Sequence, residues 1–175
     1  GFDLDLPAPR RTVVLTFDDA VKNHLTFVAP LLKEHGFGAT FFPCRFSDEW
    51  RGKNEAHLLT GAELRQLHDM GFEIGNHTWS HPDMRTLPAE DAGREIDQFN
   101  RFLADSGIPL PKSFAYPGGP FAENIVPLLK ERGFSAARTT AQRPWRKSSD
   151  DPMRIPAFPV SQDDRLGFFR ALSCC

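Results

Sequence analysis

Apolar residues recur along the chain in short runs, separated by amphipathic stretches, and each run closes on polar or turn-forming residues. The run at 12–17 (TVVLTF) is β-branched and apolar, which predicts a central strand stopped by Asp18-Asp19. Residues 23–36 predict a helix whose body starts near Thr26 or Phe27, because Pro30 is tolerated only near a first turn. Leu31 and Leu32 supply its apolar stripe and Gly36 its stop. A second strand follows at 38–44 (GATFFPC), and residues 45–57, polar and without a clear period, predict a loop.

Thr60-x-x-Glu63 is a capping box that opens a helix through Leu64, Leu67 and Met70, ended by Gly71. Residues 72–75 predict a third strand. Pro88 then opens a longer helix in which Ala92, Ile96, Phe99 and Leu103 share one face, closed by Gly107. A fourth strand at 113–116 is broken at once by Pro117-Gly118-Gly119-Pro120. A helix through Ile125, Leu128 and Leu129 ends at Gly133, and 134–139 predicts a fifth strand. Residues 155–160 (IPAFPV) predict a sixth whose prolines suit an edge or irregular strand. Residues 163–172 are a last helix candidate. The β-α alternation, with crossovers long enough for parallel pairing, fits either a barrel or an open doubly wound sheet.

Length and composition narrow the class. A chain of 175 residues, 40% apolar and 25% charged, predicts one globular domain. The net charge of −2 gives no support for a nucleic-acid partner. No apolar run approaches a membrane span, and the opening GFDLDLPAP lacks the pattern of a signal peptide. Three cysteines are too few for a disulfide framework: Cys44 reads as a buried thiol, and Cys174 and Cys175 as a tail.

The candidate chemistry sits where strands end. His77 and His81 form an H-x3-H pair, either two surface or core histidines that happen to lie close or a pair that reaches one ion of Zn²⁺, Ni²⁺, Co²⁺ or Fe²⁺. Thr78, Trp79 and Ser80 intervene, so the pair brings no glutamate base of the HExxH type. Asp18 and Asp19 can divide the work, one ligating and the other free as a base for a water. Two histidines and a carboxylate leave coordination positions open, as a catalytic site requires, and favour zinc. The PGGP turn could present a backbone N–H to an oxyanion, or be merely a turn needing positive φ. Asn76-His77-Thr78 matches a glycosylation sequon, discounted because it lies at the mouth of this site. Tyr116, Trp50, Trp79 and Trp145 are candidate aromatic contacts at the rim of such a site.

TFDD (Thr16 to Asp19), HTWSH (His77 to His81) and FAYPGG (Phe114 to Gly119) resemble the three leading motifs of the polysaccharide deacetylase family (the NodB-homology, carbohydrate esterase 4 group). The resemblance spans roughly 12–160. It implies a distorted (β/α) barrel, here incomplete toward its C-terminus, that removes acetyl groups from sugars of an acetylated oligo- or polysaccharide with one divalent metal, zinc first. It further implies Asp18 as base, Asp19, His77 and His81 as metal ligands, and the Gly118 N–H as an oxyanion donor. A secreted or cell-envelope location is the matching expectation.

Three positions depart from the family pattern. Ala115 stands where an arginine usually orients the catalytic aspartate, the later Asp-Trp motif is not recognisable near 138–145, and no histidine follows His81 to act as general acid. His24 could lie at the cleft and supply a proton, although a surface histidine near a helix start is the expected reading. A hydrolase acting on a small amide, or a carbohydrate-binding protein without turnover, are the competing expectations.

Overall fold

The computed structural model describes residues 12–160. Its elements run β1 (Thr16–Asp18), α1 (Ala29–Glu34), β2 (Thr40–Phe42), α2 (Asp48–Asn54), α3 (Gly61–Asp69), β3 (Glu73–Ile74), α4 (Ala89–Asp105), β4 (Ser113–Ala115), α5 (Ile125–Glu131) and β5 (Ala136–Arg138). All pairings between these strands are parallel, and the isolated bridge Val21↔Leu58 is antiparallel. β1, β2 and β3 lie side by side in register Thr16↔Thr40 and Thr40↔Glu73, and β4 pairs β5 as Ala115↔Arg138. A single parallel bridge, Asn76↔Phe114, joins the two sheets, and another, Arg138↔Ile155, extends the series.

Neighbours in space therefore follow chain order, as in a barrel, whereas a doubly wound sheet would reverse its order part-way. The strands also curl. Four spacings of about 4.8 Å would put β1 and β5 roughly 19 Å apart in a flat sheet. Instead Arg138 of β5 donates to a carboxylate oxygen of Asp18, at the end of β1, at 2.5 Å. The described strands form an arc of this kind and not a closed ring. At the start of β3, Glu73 accepts from Thr40 Oγ1 at 2.8 Å and Ser113 Oγ at 2.6 Å, tying β2, β3 and β4 together. Just past β3, Gly75 has no room for a side chain, since a Cβ would stand 2.3 Å from the Phe42 ring.

The helices cover the arc with two apolar clusters, one under β1 to β3 with Leu64, Leu67, Phe99 and Leu103, the other under β4 and β5 with Ile96, Ile125 and Leu129. The α4 stripe Ala92, Ile96, Phe99 and Leu103 is fully buried as its periodicity requires. The capping box of α3 forms in both directions between Thr60 and Glu63. No helix among the described residues is long and apolar enough to cross a membrane.

Several expectations are corrected. β1 is shorter than 12–17 and lies at the end of its sheet, so Val13 and Val14 are exposed instead of flanked by strands. The first helical segment opens at Lys22 and Asn23, ahead of the Thr26 or Phe27 start expected for its body, and passes through a single π turn at His24–Val28, in which the Ala29 N–H donates to the His24 carbonyl, before α1 with Pro30 at its start. Residues 45–57 are not a loop. They form α2, capped by the Ser47 side chain, and a 3₁₀ turn at Glu55–His57. Residues 155–160 give one bridge at Ile155 and no strand, in keeping with their prolines. The helix candidate at 163–172, Cys174 and Cys175 lie outside the described residues.

Phe99→Ala empties a fully buried position shared by α4 and the first cluster. It is expected to cost about 3–5 kcal/mol in denaturant unfolding of the whole chain, against well under 1 kcal/mol for the exposed Leu110→Ala.

Candidate metal centre

Neighbouring residues in a strand face opposite sides, so Asp18 and Asp19 share a site only if the backbone turns between them. It does. Asp18 ends β1, Asp19 has φ of 75° and Ala20 of 56°, and the Asp19 N–H donates to the Phe42 carbonyl at 3.1 Å. The histidine loop bends the same way at Thr78 (φ 67°) and His81 (φ 59°). Buried Asn76 braces that loop: its side-chain amide donates to Ile96 O and Asn100 Oδ1 of α4, and its Oδ1 accepts from the Thr78 N–H at 2.7 Å. This buried, bonded state accounts for discounting the sequon at Asn76. Glu95 of α4 accepts from both the N–H and the hydroxyl of Ser80, at 2.6 and 2.7 Å.

The turns bring three side chains together. Asp19 Oδ1 stands 3.6 Å from His77 Nε2 and 3.7 Å from His81 Nε2, with the two imidazoles nearly perpendicular at 75°. His77 is buried, and its Nδ1 lies 2.7 Å from the Ala115 carbonyl. A carbonyl only accepts, so Nδ1 carries the proton and Nε2 keeps its lone pair toward Asp19. Burial, above all, holds His77 below its ordinary pKa, against the pull of the Asp18 charge and this hydrogen bond. Neutral imidazole is the ligating form. Two ligands on one tetrahedral zinc sit about 3.3 Å apart for bonds of about 2.0–2.1 Å, so the spacing here fits a divalent ion after a small contraction.

Asp18 lies beside this cluster. One carboxylate oxygen takes the Arg138 guanidinium; the other is buried and has no hydrogen-bond partner among the described residues. Arg138 belongs to no motif in the sequence, where Ala115 occupies the position of the family's arginine. The register explains the substitution: Ala115 of β4 pairs with Arg138 of β5, so the cation is delivered from one strand over. Buried Arg138 also leans over the Phe42 ring at 5.6 Å.

Two further groups lie behind the cluster. His24 is not at the surface, as expected from sequence, but is buried between Phe17 and Phe41. Burial pushes its pKa down to about 4 against the nearby Asp19 and Asp18 charges, so at neutral pH it has no second proton to give. The Cys44 thiol is buried 3.9 Å from Asp19 Oδ1, and burial pushes its pKa up, leaving it protonated. Gly118 sits in the turn after β4 with φ of 66°, exposed, where a glycine is favoured. Of the aromatic candidates, Tyr116 is buried and bonded to the Met153 carbonyl, Trp79 packs on Phe102, and the Trp145 ring nitrogen is buried. Trp50 is the exposed one, at 41%.

The polysaccharide deacetylase family model matches residues 5–137. The chain belongs to that family. As a polysaccharide deacetylase family member it is 29% identical over 126 residues to the peptidoglycan-N-acetylmuramic acid deacetylase PdaA of Bacillus subtilis, covering 71% of this chain and 44% of that one. Its fold is similar to the Streptococcus pyogenes deacetylase PplD solved with acetate, at a TM-score of 0.79 and 19% identity over 92% of this chain and 69% of that one. That likeness establishes the NodB-type deacetylase fold. It is also 26% identical, at a TM-score of 0.60, to BA3943 of Bacillus anthracis, described as a pseudoenzyme of carbohydrate esterase family 4, over 74% of this chain and 44% of that one. The chain spans about half the length, or less, of the curated relatives it matches.

Arg138→Met strips Asp18 of its cation and is expected to cost about 1.5–3 kcal/mol in denaturant unfolding. Adding Ala115→Arg to that variant should restore part of the loss; equal stability of wild type and R138M would show that the pair contributes nothing. A second test follows from His24. Because its folded pKa lies below the ordinary 6.5, the unfolded chain binds more protons between about pH 6.5 and 4. Stability contributed above pH 6.5 is therefore lost as pH falls, by at most about 1.4 kcal/mol per pH unit. His24→Phe should flatten that limb in metal-free protein, measured as the urea midpoint against pH.

Proposed function

We propose that this chain is a metal-dependent hydrolase that removes acetyl groups from N-acetylated sugars of an oligo- or polysaccharide. The observation that supports it most is the convergence of Asp19, His77 and His81 beside an Asp18 carboxylate with one free, buried oxygen. In this reading Asp19, His77 and His81 hold one divalent ion, zinc first, with Co²⁺, Ni²⁺ or Fe²⁺ as alternatives. When bound, the ion polarises the acetyl carbonyl and makes a coordinated water more acidic.

The chain's own groups do the rest. Asp18 takes a proton from the attacking water, and Arg138 holds its carboxylate in place through the oxygen that does not react. The Gly118 N–H donates to the oxyanion that forms at the acetyl carbon. Asp18, protonated by the first step, returns that proton to the departing nitrogen, which yields acetate and a free amino sugar. This assignment leaves His24 out, since it is neutral and buried.

A second reading is carbohydrate binding without turnover on the same scaffold. It is favoured by the likeness to a family pseudoenzyme. Acetate release from a panel of acetylated oligosaccharides, after chelation and again with Zn²⁺ restored, separates the two. Metal-dependent release supports the hydrolase; oligosaccharide binding with no acetate supports the second reading. Asp18→Asn should keep the metal and lower turnover by about 10²–10⁴-fold, whereas His77→Ala should weaken metal binding and turnover together. Wild-type rates in D18N would overturn Asp18 as base.

A further inference from the structure

Beside the candidate metal centre the surface carries a pair of aromatic rings that the chemistry above leaves unused. Phe46 and Trp50 lie with ring centroids 4.2 Å apart and planes 34° from each other. Phe46 in turn stands 5.5 Å from the His81 imidazole, at a similar tilt of 33°. The three rings thus run as a shallow series of like inclination from the metal cluster outward to an exposed indole.

The backbone is built to hold them there. Phe46 adopts φ of 59°, a conformation that costs a bulky residue about 1–2 kcal/mol and is kept only where the surroundings enforce it. The next residue, Ser47, caps α2 by accepting the Trp50 N–H, and Asn54 donates to the Trp50 carbonyl one turn later. Arg45, just before Phe46, is anchored by donating to the Leu59 carbonyl at 3.0 Å and lies over the Phe102 ring. The indole is fixed at its base and open on its outer side. Nothing in the packing of α2 requires this, since α2 buries none of its own residues.

We propose that Phe46 and Trp50 form a binding shelf for a pyranose ring of the substrate chain, one sugar or more away from the unit whose acetyl group reacts. The apolar C–H face of a pyranose covers an aromatic ring well, and its rim of hydroxyls stays in water, which suits a half-exposed shelf. The inference rests on the deacetylase reading for the kind of ligand, and it makes the enzyme sensitive to oligomer length.

The test uses the full chain and the β-1,4-linked tetramer of N-acetylglucosamine. Binding is measured by titration calorimetry in a D18N background, where turnover does not interfere, and kinetics in the otherwise wild-type chain. Trp50→Ala should weaken tetramer binding about tenfold, and Trp50→Phe should recover most of it. In kinetics the loss should appear in KM and should erase the preference for tetramer over the single sugar. Equal tetramer affinity with and without W50A, or no tetramer binding by either, overturns the shelf. If W50A weakens tetramer binding while the wild-type chain releases no acetate, the shelf stands and the hydrolase reading falls. A drop in kcat alone, equal for single sugar and tetramer, would mark Trp50 as a structural support and overturn the shelf.

Discussion

The site depends on a handful of left-handed backbone residues. Among the described residues, those other than glycine with φ well above zero are Asp19, Ala20, Phe46, Thr78 and His81, and all of them lie in or beside the cluster of Asp19, His77 and His81. Each such conformation costs an L-residue about 1–2 kcal/mol. Without them Asp18 and Asp19 would face opposite sides of a strand, and the two imidazoles would not share a target. The strain is held by buried polar contacts: Phe42's carbonyl on Asp19, Asn76 on Thr78, Thr78's hydroxyl on His81 and Glu95 on Ser80. The fold stores conformational energy where three donors must converge, and the apolar clusters beneath supply the stability that tolerates it.

Charge placement follows from register. Parallel strands in chain order bring every C-terminal end to one rim, so a side chain can move to the adjacent strand and still reach the same point. Ala115 and Arg138 show this exchange: the alanine carbonyl fixes the His77 tautomer, while its register partner supplies the cation for Asp18. A family member can thus depart from a motif by one residue and retain the electrostatics by another.

That exchange marks the limit of what the sequence could disclose. Asp18, Asp19, His77 and His81 were legible because each lies within a few residues of its strand end, and local order carries the spacing. The α4 stripe and the α3 capping box were legible for the same reason, being periodicity and a three-residue offset. Arg138 was not, because its relation to Asp18 is a matter of strand register across the whole sheet. α2 was missed because it buries none of its residues and so has no apolar period; its local signals were the Ser47 cap and the run from acidic Asp48 and Glu49 to basic Arg51 and Lys53. His24 was misplaced because a π turn, which no simple pattern announces, rotates it inward against Phe17 and Phe41.

The ion pair between Asp18 and Arg138 joins residues 120 positions apart. Contacts of such long loop closure form late, after nearer elements have condensed. While β5 is still unformed, as on a ribosome or in a partly folded intermediate, the first-strand carboxylate has no counter-charge to orient it. The Asp18 carboxylate is then oriented only with the final curl of the sheet, even where Asp19, His77 and His81 have already met.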